Sequence, residues 1–179
     1  MNRLIPVHSV EDIPEALRDT PAARLLEYHN LGRPLERYDR AALLIGMCMD
    51  HRKQLRIPDQ FAYILRAGGA NLRPSEFKVS YAIAVGGVRD IALIAHTQCG
   101  MSGLAARRQE FIAGLVDVGW RREDAEAHFE RNAPKFEIGD EIDFVIAEAG
   151  RLGARYPGVL VTPLVYRVED SRLYLAGSR

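Results

Sequence analysis

The 179-residue chain sets 24 lysines and arginines against 24 aspartates and glutamates, so it lacks the basic excess that nucleic acid or an anionic membrane surface demands. Its longest apolar runs, such as Ala41 to Met49, fall short of the roughly 20 residues of a membrane helix. Residues 1–19 lack the apolar core of a secretory signal, and two cysteines without one suit free thiols in a reducing, cytoplasmic setting.

This length suits one domain with a real core. Residues 1–40 read as an N-terminal arm and helix: Pro6, Pro14 and Pro21 interrupt regular structure, and "PAARLLEYHNLGR" is a helix opened by Pro21 and stopped at Gly32. Residues 41–179 read as a single α/β domain. "AALLIGMCM" is an apolar run of strand length, as in a strand buried on both faces of a parallel sheet, and "FAYILR" is a second such run, followed by the glycine turn "AGGA". Ser75 can cap a helix to about Gly86, in which Phe77, Tyr81, Ala84, Val85 and Val88 recur at helical spacing. "DIALIAH" is a third buried strand, and Gly100 and Gly103 punctuate the turn after it.

Residues 107–135 form a charged helical insert, with Trp120 to Asn132 as its second half, most simply a solvated lid or an assembly surface. "DEIDFVIAEAGRLGARYP" is an amphipathic helix carrying Ile142, Val145, Ile146, Ala149 and Leu152 on one face. "GVLVTPLVYRV" and "SRLYLAG" close the chain as strands joined by "EDS", a pair that can run antiparallel. Strands alternating with helices predict an α/β fold: a mainly parallel central sheet flanked by helices.

In such sheets, sites form beyond the carboxyl ends of the strands. Two runs end there in groups that bind metals: Cys48 and Asp50 in one, His96 and Cys99 in the other. If extended geometry persists past Cys48, period two puts Cys48, Asp50 and Arg52 on one side. His96 and Cys99, three apart, can face one centre from a tight turn. Thiolate and imidazole ligands in a tetrahedral set favour zinc over magnesium or calcium. Either cysteine alone reads more naturally as packing; the combination at two strand ends argues for a metal.

"CMDHR" and "HTQCGM" resemble the C-x-D-x-R and H-x-x-C signatures of the β-class carbonic anhydrases. The resemblance runs in order from about Ala41 through the glycine turn to the closing strands, nearest the family's short prokaryotic branch. It implies a β-carbonic anhydrase-like sheet, a homodimer or higher homo-oligomer with a zinc site near its interface, and an N-terminal helix that embraces the partner. It implies Cys48, His96 and Cys99 as zinc ligands, Asp50 and Arg52 as the catalytic dyad, and Asp50 as a fourth ligand only in a closed state. The chain departs from the family pattern at His51, at "RAGGA" and at Ala95.

The expected function is zinc-dependent reversible hydration of carbon dioxide to bicarbonate by a zinc-bound hydroxide. Three protein ligands leave one open position, and water there ionises near neutral pH. Asp50 would accept a hydrogen bond from the hydroxide, and Arg52 would keep Asp50 ionised. Alternatives are a zinc hydrolase of the same fold acting on carbon disulfide or carbonyl sulfide, and a non-catalytic zinc-binding relative. The glycine turn lacks the Lys and Ser/Thr of a phosphate loop; Gly68, Gly69 and Gly100 are expected to line the substrate pocket. His51 could shuttle protons, but period two turns it away from the metal, the preferred reading. His8, His29 and His128 are expected on the surface.

Overall fold

The structure, a computed structural model, describes residues 3–177. Six strands form one sheet in the order β1-β6-β5-β4-β2-β3: β1 (Leu4–Pro6), β2 (Leu43–Met47), β3 (Ala62–Arg66), β4 (Asp90–His96), β5 (Leu160–Arg167) and β6 (Arg172–Ala176). Strands β3, β2, β4 and β5 run parallel, while β6 and β1 add antiparallel edges. Five helices accompany them: α1 (Pro21–Asn30), α2 (Glu76–Ala84), α3 (Arg108–Asp117), α4 (Arg122–Phe136) and α5 (Glu141–Arg155). None of the described helices is long and apolar enough to cross a membrane.

Alternation along the strands divides the core in two. Leu43, Ile45 and Met47 of β2, with Ala92 and Ile94 of β4, pack against Leu25, Leu26 and Tyr28 of α1. Leu44, Ile91, Leu93 and Ala95 face Val79 of α2 and Val145, Ala149 and Leu152 of α5. Helix α5 therefore buries the apolar face its sequence predicts, and its N-cap Asp140 accepts from the amides of Ile142 and Asp143. Helix α1 starts at Thr20, whose hydroxyl accepts from Ala23, and packs on its own sheet.

Four expectations need correction. Strand β3 is an edge strand rather than a doubly buried one, so Tyr63 and Ile64 are exposed. Helix α2 buries Val79 and Ala82, leaving Phe77, Tyr81 and Val85 outside; Phe77 is 83% exposed. The helix is short, and its tie to the sheet runs through the opposite face. Ser75 occupies the N-cap position but makes no side-chain cap hydrogen bond. The charged insert is two helices, α3 and α4, broken near Gly119 (φ +99°) and packed around Leu104, Phe111 and Phe129.

The topology places the site. From β2 the chain goes first to β3 on one side and then, through α2, to β4 on the other. Strand order thus reverses between β2 and β4, and the crevice beyond their carboxyl ends is where α/β sheets bind ligands.

Candidate metal centre

Cys48 follows β2, His96 ends β4, and Cys99 lies in the turn after it. All three are buried, and one potential ligand atom from each falls within 4.8 Å of the others. The two sulfurs are 4.0 Å apart, far beyond disulfide bonding. That separation is close to the roughly 3.8 Å between two thiolates that each lie about 2.3 Å from one tetrahedral zinc. His96 Nδ1 lies 2.9 Å from the Thr97 carbonyl. A carbonyl can only accept, so Nδ1 carries the proton and Nε2 keeps its lone pair. Nε2 is buried and has no hydrogen-bond partner. An orphaned imidazole nitrogen beside two sulfurs fits a zinc ion, with the carbonyl fixing the ring as outer-shell partners do.

Neighbouring groups already favour thiolate. Gly69 N–H donates to Cys48 Sγ at 3.3 Å. Gly69 has φ +62°, and a Cβ there would come within 2.7 Å of Ile138, so only glycine brings this amide to the sulfur without strain. The sulfurs share a proton unequally. The Cys99 thiol and His96 hold the Cys48 pKa well below the usual thiol range, while the Cys48 sulfur and burial push Cys99 up. The Cys99 amide is held by Glu141 Oε1 at 3.1 Å.

Asp50 and Arg52 meet beside these ligands, though not by continued extension. Strand β2 ends at Met47, and the chain turns, so that Asp50 Oδ1 accepts from the Arg52 amide at 2.9 Å. The Arg52 guanidinium then donates from Nε to Oδ1 at 3.0 Å and from Nη2 to Oδ2 at 2.8 Å. This fork holds the Asp50 carboxyl far below its ordinary pKa. Asp50 does not share in the three-residue cluster, which is the open arrangement of the two considered.

Gly68 lines an apolar cavity of about 360 Å³ with Met49, Met101, Phe111, Phe129 and Phe136. Gly100 lines an adjoining cavity that shares Met101, Leu104 and Phe111. Gly69 lies beneath them at Cys48. His51 is exposed. His29 is not a plain surface residue: its ring joins the Arg56 amide to the Ser171 carbonyl. His128 packs between Phe111 and Trp120.

Sequence reasoning missed three residues. Lys53 is 1% exposed and its Nζ has no partner. Burial pushes its pKa down, while Cys48, Asp50 and Cys99 pull it up. Its signal was a charge placed directly after the D-x-R run. Gln98 accepts from Arg52, and Glu169 accepts in turn from the Gln98 amide; only the polar residue inside H-x-x-C hinted at the first.

The chain matches no protein-family model and no curated protein sequence; its similarities are structural. It aligns with a β-carbonic anhydrase from the protozoan Trichomonas vaginalis at a TM-score of 0.63 and 17% identity, covering 83% of this chain and 91% of the other. The carbonic anhydrase from Glaciozyma antarctica aligns at 0.60 and 21% identity, over 90% and 98% of the two chains. The fold is that of the β-carbonic anhydrases. An apo carbon disulfide hydrolase shares it too, with a TM-score of 0.56 and 19% identity over 78% of this chain and 80% of that one. A β-carbonic anhydrase-like sheet therefore carries the Cys-His-Cys cluster at its switch point.

Proposed function

We propose that the protein is a zinc enzyme that interconverts carbon dioxide and bicarbonate. The observation that carries this reading is the convergence of Cys48, Cys99 and the orphaned His96 Nε2 beside an Asp50–Arg52 fork. A structural zinc would need neither the fork nor an open coordination position. When bound, the metal supplies an acidified water as nucleophile near neutral pH. Asp50, kept ionised by Arg52, would accept a hydrogen bond from the nucleophile and so orient it toward the substrate carbon. His96 is held by the Thr97 carbonyl, so the imidazole neither rotates nor takes up a proton at Nδ1. Met49, Gly68 and Met101 give the substrate an apolar approach that excludes charge.

A second reading, hydrolysis of carbon disulfide or carbonyl sulfide by the same attack, is favoured by the carbon disulfide hydrolase among the fold relatives. Stopped-flow hydration of carbon dioxide on zinc-verified protein from about pH 6.5 to 9 separates them. A zinc-dependent rate that rises with pH supports the anhydrase. Zinc-loaded protein that is inert toward carbon dioxide but releases sulfide from carbonyl sulfide replaces it with the second reading.

The same reading includes an oligomer in a reducing cytoplasm, where both thiols stay free for metal. Exposed Phe77, Tyr81 and Val85 on α2, beside Tyr63 and Ile64 on the open edge of β3, support a second copy as the covering partner. The expected role of the N-terminal arm in embracing that copy belongs to the same proposal. Light scattering should report a dimer, and Phe77→Asp with Val85→Asp should shift it to the monomer; an unchanged dimer would place the interface elsewhere.

A further inference from the structure

The back of Arg52 is held by a chain of contacts that ends on the β5–β6 turn. Arg52 Nη2 donates to the Gln98 carbonyl at 3.0 Å, and Nη1 donates to Gln98 Oε1 at 3.3 Å. Gln98 Nε2 donates to Glu169 Oε1 at 2.9 Å, while the Thr97 hydroxyl donates to Glu169 Oε2 at 2.8 Å. Thr97 Oγ1 in turn accepts from the Val168 amide at 3.0 Å, closing the turn onto the loop that bears His96 and Cys99.

The chemistry of these groups fixes the order of the chain. An ionised carboxylate only accepts, so Glu169 compels the Gln98 amide to present its NH2 backward and its oxygen forward. The forward oxygen is what a guanidinium, which only donates, requires. Gln98 sits at φ +58°, a conformation disfavoured for glutamine that ordinary loop design would avoid. Strain of this kind persists where the surroundings over-determine it; here the clamps are Arg52 on one side and Glu169 on the other. On its other side Arg52 donates from Nε and Nη2 to Asp50. Its position therefore decides whether Asp50 stays on the guanidinium or swings to the metal.

We propose that Glu169 and Gln98 are positioning residues that hold Arg52, and through it Asp50, away from the metal position, keeping that position open. This rests on the zinc reading above and adds to it a cause for the open arrangement. In Glu169→Ala the Gln98 amide loses its orientation, and in Gln98→Asn the amide no longer spans the gap, although asparagine tolerates positive φ. Either change removes the Nη1 contact to Gln98 Oε1 and leaves Arg52 tethered on this side only by the Gln98 carbonyl, so Arg52 gains freedom and Asp50 then competes for the metal.

The test uses full-length protein carrying cobalt in place of zinc, with thiocyanate as the probe for the open position. Both variants should bind thiocyanate about tenfold more weakly, the scale of one lost hydrogen bond to a charged group. Their visible spectra should move toward that of a site with four protein ligands. On zinc protein, kcat should fall by about the same factor, with KM little changed. In an Asp50→Ala background the further change Glu169→Ala should alter none of these readouts, because the competing carboxylate is gone.

Unchanged thiocyanate affinity in both variants overturns the proposal. So does an equal loss in the presence and absence of Asp50, which would mean ordinary loop disruption. Wild-type protein that takes up no cobalt overturns the zinc reading itself, and this inference with it. Wild type that binds cobalt and shows the variant spectrum already would sink the inference alone.

Discussion

His96→Ala is expected to release the metal and abolish turnover together, and Cys99→Ala is expected to do the same. Both side chains are buried, and each supplies one of three potential ligand atoms within 4.8 Å. Removing an outer-shell partner of such a ligand typically costs about 10–100-fold in affinity, so removing the ligand itself should cost more. Metal content after dialysis against a weak chelator measures this directly. A second readout separates ligation from packing. At free zinc about 100-fold above its Kd, binding stabilises the wild type by about 2.7 kcal/mol; that gain should vanish in the variants. His96→Gln keeps most of the side-chain volume, so it should unfold near the metal-free wild type while still gaining nothing from zinc. Full occupancy in any of these variants would remove the ligand assignment.

The two central strands were legible because β2 and β4 are buried on both faces. The runs ending at Met47 and His96 are continuously apolar, and both lie inside the sheet. Strand β3 carries a similar run yet lies at the edge. Local composition cannot distinguish a strand inside the sheet from one at its edge. Helix α2 misled for the same reason: its most regular stripe, Phe77, Tyr81 and Val85, faces outward, and the two smaller side chains Val79 and Ala82 face in. The three-residue strand β1 was hidden, because Leu4–Pro6 is too short for any period to show and its pairing is set by β6.

For the site, ligand types and their strand-end placement were legible, but the path between them was not. Period two put Asp50 and Arg52 on one side; in the structure, an Asx-type turn joins them instead. Short polar side chains that bind their own backbone replace extended geometry in this way. Gln98 and Glu169 are 71 residues apart in sequence, so no local pattern links them. Lys53 was missed because a lysine after a charged run reads as solvated, whereas the fold buries it within electrostatic reach of Cys48, Asp50 and Cys99.

Asp50→Ala should separate metal binding from chemistry. The Asp50 carboxylate lies outside the three-ligand cluster and is held by the Arg52 amide and guanidinium, so zinc content should stay at the wild-type level. Turnover should fall by about a hundredfold or more, the range for losing a positioned proton-handling group. Because Arg52 holds Asp50 ionised far below neutrality, protonation of Asp50 cannot shape the wild-type rate between pH 6 and 9. Asp50→Asn keeps the shape and can accept from Arg52 through its carbonyl, yet it lacks the charge. If Asp50 acts as an ionised acceptor, Asn should be nearly as slow as Ala. If it serves only to seat Arg52, Asn should restore most of the rate, and the function assigned to the fork would move to the guanidinium. Zinc loss in Asp50→Ala would instead make the carboxylate a resting ligand and the open arrangement a minority state. The steady-state rate and the metal content of these two variants decide among the three outcomes.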